Sequence, residues 1–277
     1  MQKIWVCGAR GQIGQAVNDV VDKLEFEMLD TDVDDLDVTD TDEVLRFGEM
    51  NRPDIIINCS GMTDISSCEE NPSQAFKVNA LGARNLAIVA AKMQAKMVQL
   101  STDDVFDGKS TEPYTEFDIT NPGTVYGKSK LAGENYVKEF TTKHFIVRST
   151  WVYGKGQNFI NGFLKKVDAG EQLSIASDQF GSPTSANELA RFLLHLVHTS
   201  EYGTYHATNK GVCSRYAFAQ EILKMTGKTA SMQPVPTVMS DFSKVRPAYA
   251  VLDNFIMSMV PIYDFPDWQD SLREYLE

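Results

Sequence analysis

The stretch KIWVCGARGQIG, Lys3 to Gly14, decides how the rest of the chain is read. A short apolar strand runs into glycines at positions 8, 11 and 14, and a helical pattern begins near Gln12. Gly8 permits the tight turn, Gly11 lets the backbone approach a pyrophosphate, and Gly14 lets the helix pack closely on the strand. The free N–H groups and positive dipole end of that helix, with Gln12 and Ile13 in its first turn, then face the phosphates. Glycine triplets are common, so context carries the reading: a strand before, a helix after, and an acid, Asp30, ending the next strand sixteen residues past Gly14. A carboxylate at Asp30 accepts hydrogen bonds from ribose hydroxyls and repels a 2′-phosphate, whereas Arg10, inside the turn, attracts one. The two residues oppose each other. Asp30 tips the expectation toward NADH, with NADPH also usable.

Working outward, strands and helices alternate. FEMLD (26–30), DIIINCSG (54–61), KMVQLST (96–102) and HFIVRSTWVYG (144–154) read as strands. Between them lie helical stretches at 41–51, 72–93 and 126–139. Continuous apolar runs such as DIII are the mark of strands buried on both faces, so the fold class is α/β, a Rossmann-type doubly wound parallel sheet with right-handed crossovers. The expected dinucleotide-binding domain covers 1–154, with late sheet elements near 203–208. Residues 155–277 are expected to form mostly a smaller substrate-binding lobe, interleaved with the sheet. There, helices at 158–169, 185–198 and 214–226 alternate with LSIAS and GTYHAT, and prolines interrupt QPVPTV, VRPAY and VPIYDFPDW.

Composition removes several function classes. The 277 residues carry a formal charge of −12 and no basic stripe, which argues against a nucleic-acid partner. No apolar run reaches membrane-span length, and the N-terminus reads as a strand rather than a signal peptide. Four scattered cysteines without a CxxC pair suit reduced thiols, so a cytoplasmic location is expected. His195 and His198, in LLHLVH, read as an apolar helix nearing its C-terminus, and no metal site is expected. The run DTDVDDLDVTDTDE holds eight acids in fourteen residues, but Asp35 stands where a calcium loop needs glycine and Thr41 where it needs glutamate. It reads as a solvated loop, with Asp37 and Val38 beside the adenine.

YGKSK (126–130) places Tyr126 and Lys130 on one helix face. That spacing alone also fits an ordinary amphipathic helix. The surroundings separate the two: Ser101, Thr102 and Asp103 of STDDVFDG end a strand at the sheet edge where open α/β folds bind ligands, and the dinucleotide turn opens the chain. In this order the motifs resemble the extended short-chain dehydrogenase/reductase superfamily and, within it, the dTDP-4-dehydrorhamnose reductases. GARGQIG, LDVTD, NCSGMT, STDDVFDG, NPGTVYGKSKLAGE, VRSTWVYG, SDQFGSPT and the late RP of VRPAY carry the resemblance across nearly the whole chain.

The resemblance implies reduction of a C4 ketone on a nucleotide-linked deoxysugar with NAD(P)H, by a monomer or homodimer. Tyr126 would give the proton, Lys130 would lower the phenol pKa and hold ribose hydroxyls, and Thr102 would bind the substrate oxygen. Gly61, Met62 and Thr63 would line the cofactor, Asp103 would meet the sugar and Trp151 the sugar nucleotide. The family usually has tyrosine at Asp104, histidine at Met62 and serine at Ala250, and Asp104 is expected among the substrate contacts. Thr102-Asp103-Asp104 also resembles the Thr-Asp-Glu of nucleotide-sugar dehydratases, so dehydratase or epimerase chemistry is one alternative. A non-catalytic subunit similar to the methionine adenosyltransferase β subunit is another.

Overall fold

The strands that the apolar runs predict lie side by side in a computed structural model that describes residues 1–239 and 247–277. β1 (Gln2–Cys7) leads through α1 (Gln12–Val20) to β2 (Phe26–Thr31). α2 (Thr41–Asn51) then precedes β3 (Ile55–Asn58), and α3 (Ile65–Glu70), α4 (Pro72–Phe76) and α5 (Ala83–Met93) precede β4 (Lys96–Thr102). α6 (Val125–Phe140) leads to β5 (His144–Ser149). Next come β6 (Val152–Tyr153), α7 (Phe159–Asp168), β7 (Leu173–Ala176), β8 (Phe180–Gly181), β9 (Thr184–Ser185), α8 (Ala186–His198) and β10 (Gly203–His206). The chain ends with β11 (Cys213–Ser214), α9 (Arg215–Thr226), β12 (Met232–Val235), α10 (Phe255–Met259) and α11 (Trp268–Leu276).

The main sheet has the order β10-β5-β4-β3-β1-β2, and every pairing in it is parallel. The chain first steps from β1 outward to β2, then crosses back to β3 on the other side. That reversal opens a crevice above the carboxyl ends of β1 and β3, where an open α/β sheet takes its ligand. Alternate side chains bury into two separate cores. Ile4, Val6, Ile55, Ile57, Val98 and Val147 meet α1 and α8 residues such as Val17, Leu189 and Leu193. Trp5, Cys7, Ile56, Met97 and Ile146 meet Val44, Leu86, Val89 and Val137 on the opposite face. Both faces covered is why these strands read as unbroken apolar runs.

A third core belongs to the later part of the chain, where Ile160, Phe163, Ile175, Phe218, Ile222, Trp268 and Leu272 pack together. Its small sheets pair β6 with β9, β8 with β11, and β7 with β12. Among the described residues, no helix is long and apolar enough to cross a membrane.

Three expectations need correction. The single helix expected at 72–93 contains a π-helical segment at Lys77–Gly82, which turns Asn79 into a buried position. The strand expected at 144–154 breaks after Ser149, because Trp151 adopts a left-handed φ of 48°. QPVPTV, read as proline-broken, supplies part of β12, an outer strand on which the exposed Pro234 is tolerated. Val245 and Arg246 of VRPAY lie outside the described residues.

Candidate active site

The glycine turn has the geometry its spacing predicts. Gly8 sits at φ 76°, and a Cβ there would lie 2.8 Å from the Ser60 nitrogen. A Cβ on Gly14 would lie 2.4 Å from the Gly8 carbonyl oxygen, so α1 could not approach the turn with any other residue there. α1 starts at Gly11 with no side chain capping it, whereas Asp40, Thr124, Asn158 and Ser214 cap α2, α6, α7 and α9. An uncapped helix start framed by backbone is a cradle that fits a dinucleotide pyrophosphate.

The acids that follow β2 engage Arg10. Asp30 is exposed at the strand end, opposite Val6 of β1. Asp32 holds the turn: its carboxylate accepts the Arg10 N–H at 2.8 Å. The Arg10 guanidinium donates to Asp34 at 2.7 Å and to Asp35 at 2.8 Å. Asp37 is exposed and accepts the Thr39 N–H, while Val38 packs on the π-helical segment and its carbonyl accepts from Asn85.

Above the sheet edge lies a cavity of about 610 Å³. Gly11, Gln12, Ile13, Gly61, Thr63, Thr102, Asp103, Tyr126, Lys130 and Trp151 all line it. Gly8 and Gly14 shape the turn from behind, and Asp30, Asp37, Val38 and Met62 stand outside the cavity wall. Asp104 is also absent from the wall, contrary to its expected place among substrate contacts. It is buried to 1 % in the turn after β4, and α6 lies so close over it that a Cβ on Gly127 would meet the Asp104 carbonyl oxygen at 2.0 Å. Met62 packs its side chain into a small cluster with Ile65, Cys68, Ala75 and the Tyr126 ring. The Asn79 amide clamps the Met62 backbone at both ends, accepting its N–H at 2.8 Å and donating to its carbonyl at 2.9 Å. Ala250 is buried, and its N–H donates to the Phe180 carbonyl.

α6 brings Tyr126 and Lys130 to the cavity because Thr124 caps its first turn, accepting the Gly127 N–H at 2.9 Å. Both side chains are buried. The Lys130 Nζ lies 3.8 Å from where a Gly61 Cβ would be, so the missing side chain at Gly61 leaves the ammonium its access. Burial pushes the Lys130 amine down to about 8, opposed by Glu134 and Cys59, which favour its charge. Thr102 donates its hydroxyl to Asp103 at 3.1 Å and accepts the Asp104 N–H at 3.2 Å.

One turn beyond Lys130, Glu134 is fully buried. Arg148 of β5 donates to it through Nε at 2.9 Å and Nη2 at 2.7 Å, and Ser101 of β4 through its hydroxyl at 2.6 Å. Burial alone would raise the Glu134 carboxyl, but the Arg148 hydrogen bonds and charge, with Ser101, hold it below the usual range. The sequence reading assigned no role to Glu134, Arg148, Asn79 or Arg215, although the first two sit inside the quoted motifs YGKSKLAGE and VRSTWVYG. The signal for Glu134 was its spacing, a third residue at four-residue steps along the face of Tyr126 and Lys130. Arg215 stacks on Trp151 in the wall of the cavity, its Cζ 3.4 Å from the ring centroid.

A family model described as the RmlD substrate binding domain matches residues 1–277. The spore coat polysaccharide biosynthesis protein SpsK of Bacillus subtilis is 34% identical over 278 residues, covering 100% of this chain and 98% of its own. A crystal structure of a dTDP-4-dehydrorhamnose reductase from Clostridium acetobutylicum is 40% identical with a TM-score of 0.96, covering 99% of this chain and 98% of that one. A dTDP-4-dehydrorhamnose reductase from Bacillus anthracis, solved in complex with NADP, is 35% identical with a TM-score of 0.96 and 99% coverage of both chains.

Proposed function

The chain belongs to the dTDP-4-dehydrorhamnose reductase family and is an NAD(P)H-dependent oxidoreductase of that type, and from this premise we propose that it reduces the C4 ketone of dTDP-4-dehydro-L-rhamnose to give dTDP-L-rhamnose. The observation that carries the reading is the meeting of Tyr126, Lys130 and Thr102 at one cavity with the uncapped start of α1. Polysaccharide precursor synthesis is the setting, supported by the similarity to SpsK.

The nicotinamide coenzyme, when bound, supplies the hydride. The chain's own residues manage the proton and the geometry. Tyr126 gives its phenolic proton to the oxygen that gains charge as the ketone is reduced. Lys130, held next along α6 in a buried setting, stabilises the phenolate left behind and reaches toward ribose hydroxyls past Gly61. Thr102 turns its hydroxyl from Asp103 to the substrate oxygen. The Asp103 carboxylate, beside that hydroxyl, accepts a hydroxyl of the sugar.

The coenzyme proposed is NADH, used at least as well as NADPH. The Arg10 guanidinium is already engaged by two carboxylates, so a 2′-phosphate must compete with Asp34 and Asp35 for it. The dehydratase alternative loses ground because elimination asks for two acids at the substrate, and of Asp103 and Asp104 the first alone lines the cavity. The test is coenzyme oxidation, followed by absorbance, against a panel of 4-keto nucleotide sugars. Stoichiometric oxidation with dTDP-4-dehydro-L-rhamnose is the expected result. Loss of water from a 4-hydroxy sugar nucleotide without net coenzyme consumption would overturn it, as would tight capture of a partner enzyme with no turnover on any panel member.

A further inference from the structure

A residue at position 181 other than glycine would place its Cβ 2.6 Å from Trp151 Cε2 and 2.9 Å from both Cδ2 and Nε1. Those two atoms are the bonded neighbours of Cε2 within the five-membered ring. Near-equal distances to all three put that point above the indole face, not beside its edge. The Gly181 backbone therefore lies flat against one face of Trp151. Arg215 Cζ stands 3.4 Å from the Trp151 ring centroid. On the same face it would crowd the Gly181 Cβ position more closely than the indole atoms do, and the three nearest atoms there are all indole. Arg215 thus covers the opposite face. The Phe159 ring lies 4.8 Å from the same Cζ, so the guanidinium has a second aromatic neighbour.

This arrangement changes what the Trp151 wall can offer a ligand. With backbone on one face and a guanidinium on the other, the indole has no face left on which a nucleotide base could stack. The stacked guanidinium instead has its orientation fixed while its N–H groups lie in its own plane, the fork that matches phosphate oxygens. The charge balance points the same way. Among the described residues that line the cavity, Lys130 and Arg215 are basic and Asp103 is acidic. Lys130 is buried beside Gly61, and the α1 turn is the place for the coenzyme's pyrophosphate. A second ligand carrying its own diphosphate needs cationic donors of its own, and Arg215 lines the same cavity with Trp151, Phe159 and Phe218.

We propose that Arg215, held between Trp151 and Phe159, binds the diphosphate of the nucleotide-sugar substrate, and that Gly181 serves this contact by leaving room for the indole beneath it. The inference rests on the nucleotide-sugar reading above. The role is one of binding and selection, with no part in proton transfer.

The test is calorimetric titration of the NADH-saturated protein with dTDP, dTMP and thymidine, in wild type, Arg215→Met and Arg215→Lys. Arg215→Met should weaken dTDP by roughly 10–100-fold, the worth of charge-assisted hydrogen bonds, and leave thymidine within about twofold. Arg215→Lys keeps the charge but not the fork, so its loss should be intermediate. NADH affinity should be unchanged in all three. A dTDP affinity within about threefold of wild type in Arg215→Met would overturn the proposal, as would equal losses for dTDP and thymidine, which would mark a packing role. The reductase reading fails independently. Arg215-dependent dTDP binding without turnover of any keto sugar supports the diphosphate site and removes the reaction, and turnover indifferent to Arg215 does the reverse.

Discussion

Replacing Glu134 with glutamine should loosen the fold and disturb catalysis by separate routes. The carboxylate has no exposed surface and its Arg148 partner is 4% exposed, so neither is rescued by water. Glutamine keeps the shape but turns one acceptor into an N–H₂ group that faces a guanidinium donor. A buried guanidinium losing its counter-charge costs about 3–5 kcal/mol. For a chain of this size that corresponds to a fall in Tm on the order of 10 °C, read by thermal circular dichroism near neutral pH.

The second route runs through Lys130, whose charge Glu134 supports against burial. In the wild type, kcat/KM for coenzyme reports the free enzyme and should fall as pH rises through about 8, where Lys130 sheds its proton. Without Glu134 the amine is easier to deprotonate, so that limb should move to lower pH. The double variant Glu134→Leu/Arg148→Met removes both buried charges, and should recover much of the stability while leaving the limb low. Glu134→Gln with an unchanged Tm, or with its alkaline limb where the wild type has it, would refute the reasoning.

Tyr126→Phe should retain coenzyme affinity, since the ring still packs against Ile65 and Met62, and should lower kcat by about 10²–10⁴ in steady-state assays. Lys130→Met should weaken coenzyme binding as well as rate and remove the alkaline limb near pH 8, leaving that of an unassisted phenol at higher pH, whereas the exposed Lys128→Met should leave both nearly as they were. Gly181→Ala puts a methyl against the indole of Trp151, so KM for the sugar nucleotide should rise more than kcat falls, with about 1–3 kcal/mol lost on denaturant unfolding. Asp30→Ala should narrow the gap between NADH and NADPH in calorimetric titration, and a gap that widens would remove Asp30 from coenzyme selection.

What the sequence made legible was the local pattern that answers to one physical demand at a time. Apolar runs gave β1, β3 and β4 because both faces of that sheet are covered, and glycine spacing gave the turn because backbone must pass close to backbone. The Tyr126–Lys130 pair was recognisable from helical spacing combined with chain order. Features that depend on two distant segments at once were harder to see. The buried state of Glu134 is fixed by Arg148 fourteen positions on and by Ser101 from another strand. The Arg215–Trp151 stack joins the start of α9 to a left-handed residue between two strands. Asp104 was misplaced for a related reason: the closeness of α6 at Gly127, which seals it in, belongs to tertiary packing. α11 carried a readable signal in the spacing of Trp268 and Leu272, both buried in the third core, and prolines just before it drew the eye away.

The π-helical segment at Lys77–Gly82 has a bearing on how this chain tolerates change of length. One residue more than a regular helix needs is taken up there, and the stretches on either side are rotated relative to each other by about one residue's turn. Ala75, before it, packs with the Tyr126 cluster, whereas Ala83 and Leu86, after it, pack beneath the sheet. Deleting a single residue in this segment would yield a more regular helix of better intrinsic geometry, yet would swing one of these surfaces off its partner by about 100°. It would also carry off the Asn79 amide that holds Met62. Substitutions can accumulate along α4 and α5 one at a time, but an insertion or deletion between them acts as a change of angle, and α6, whose Gly133 lies against the Asn79 backbone, would register it directly.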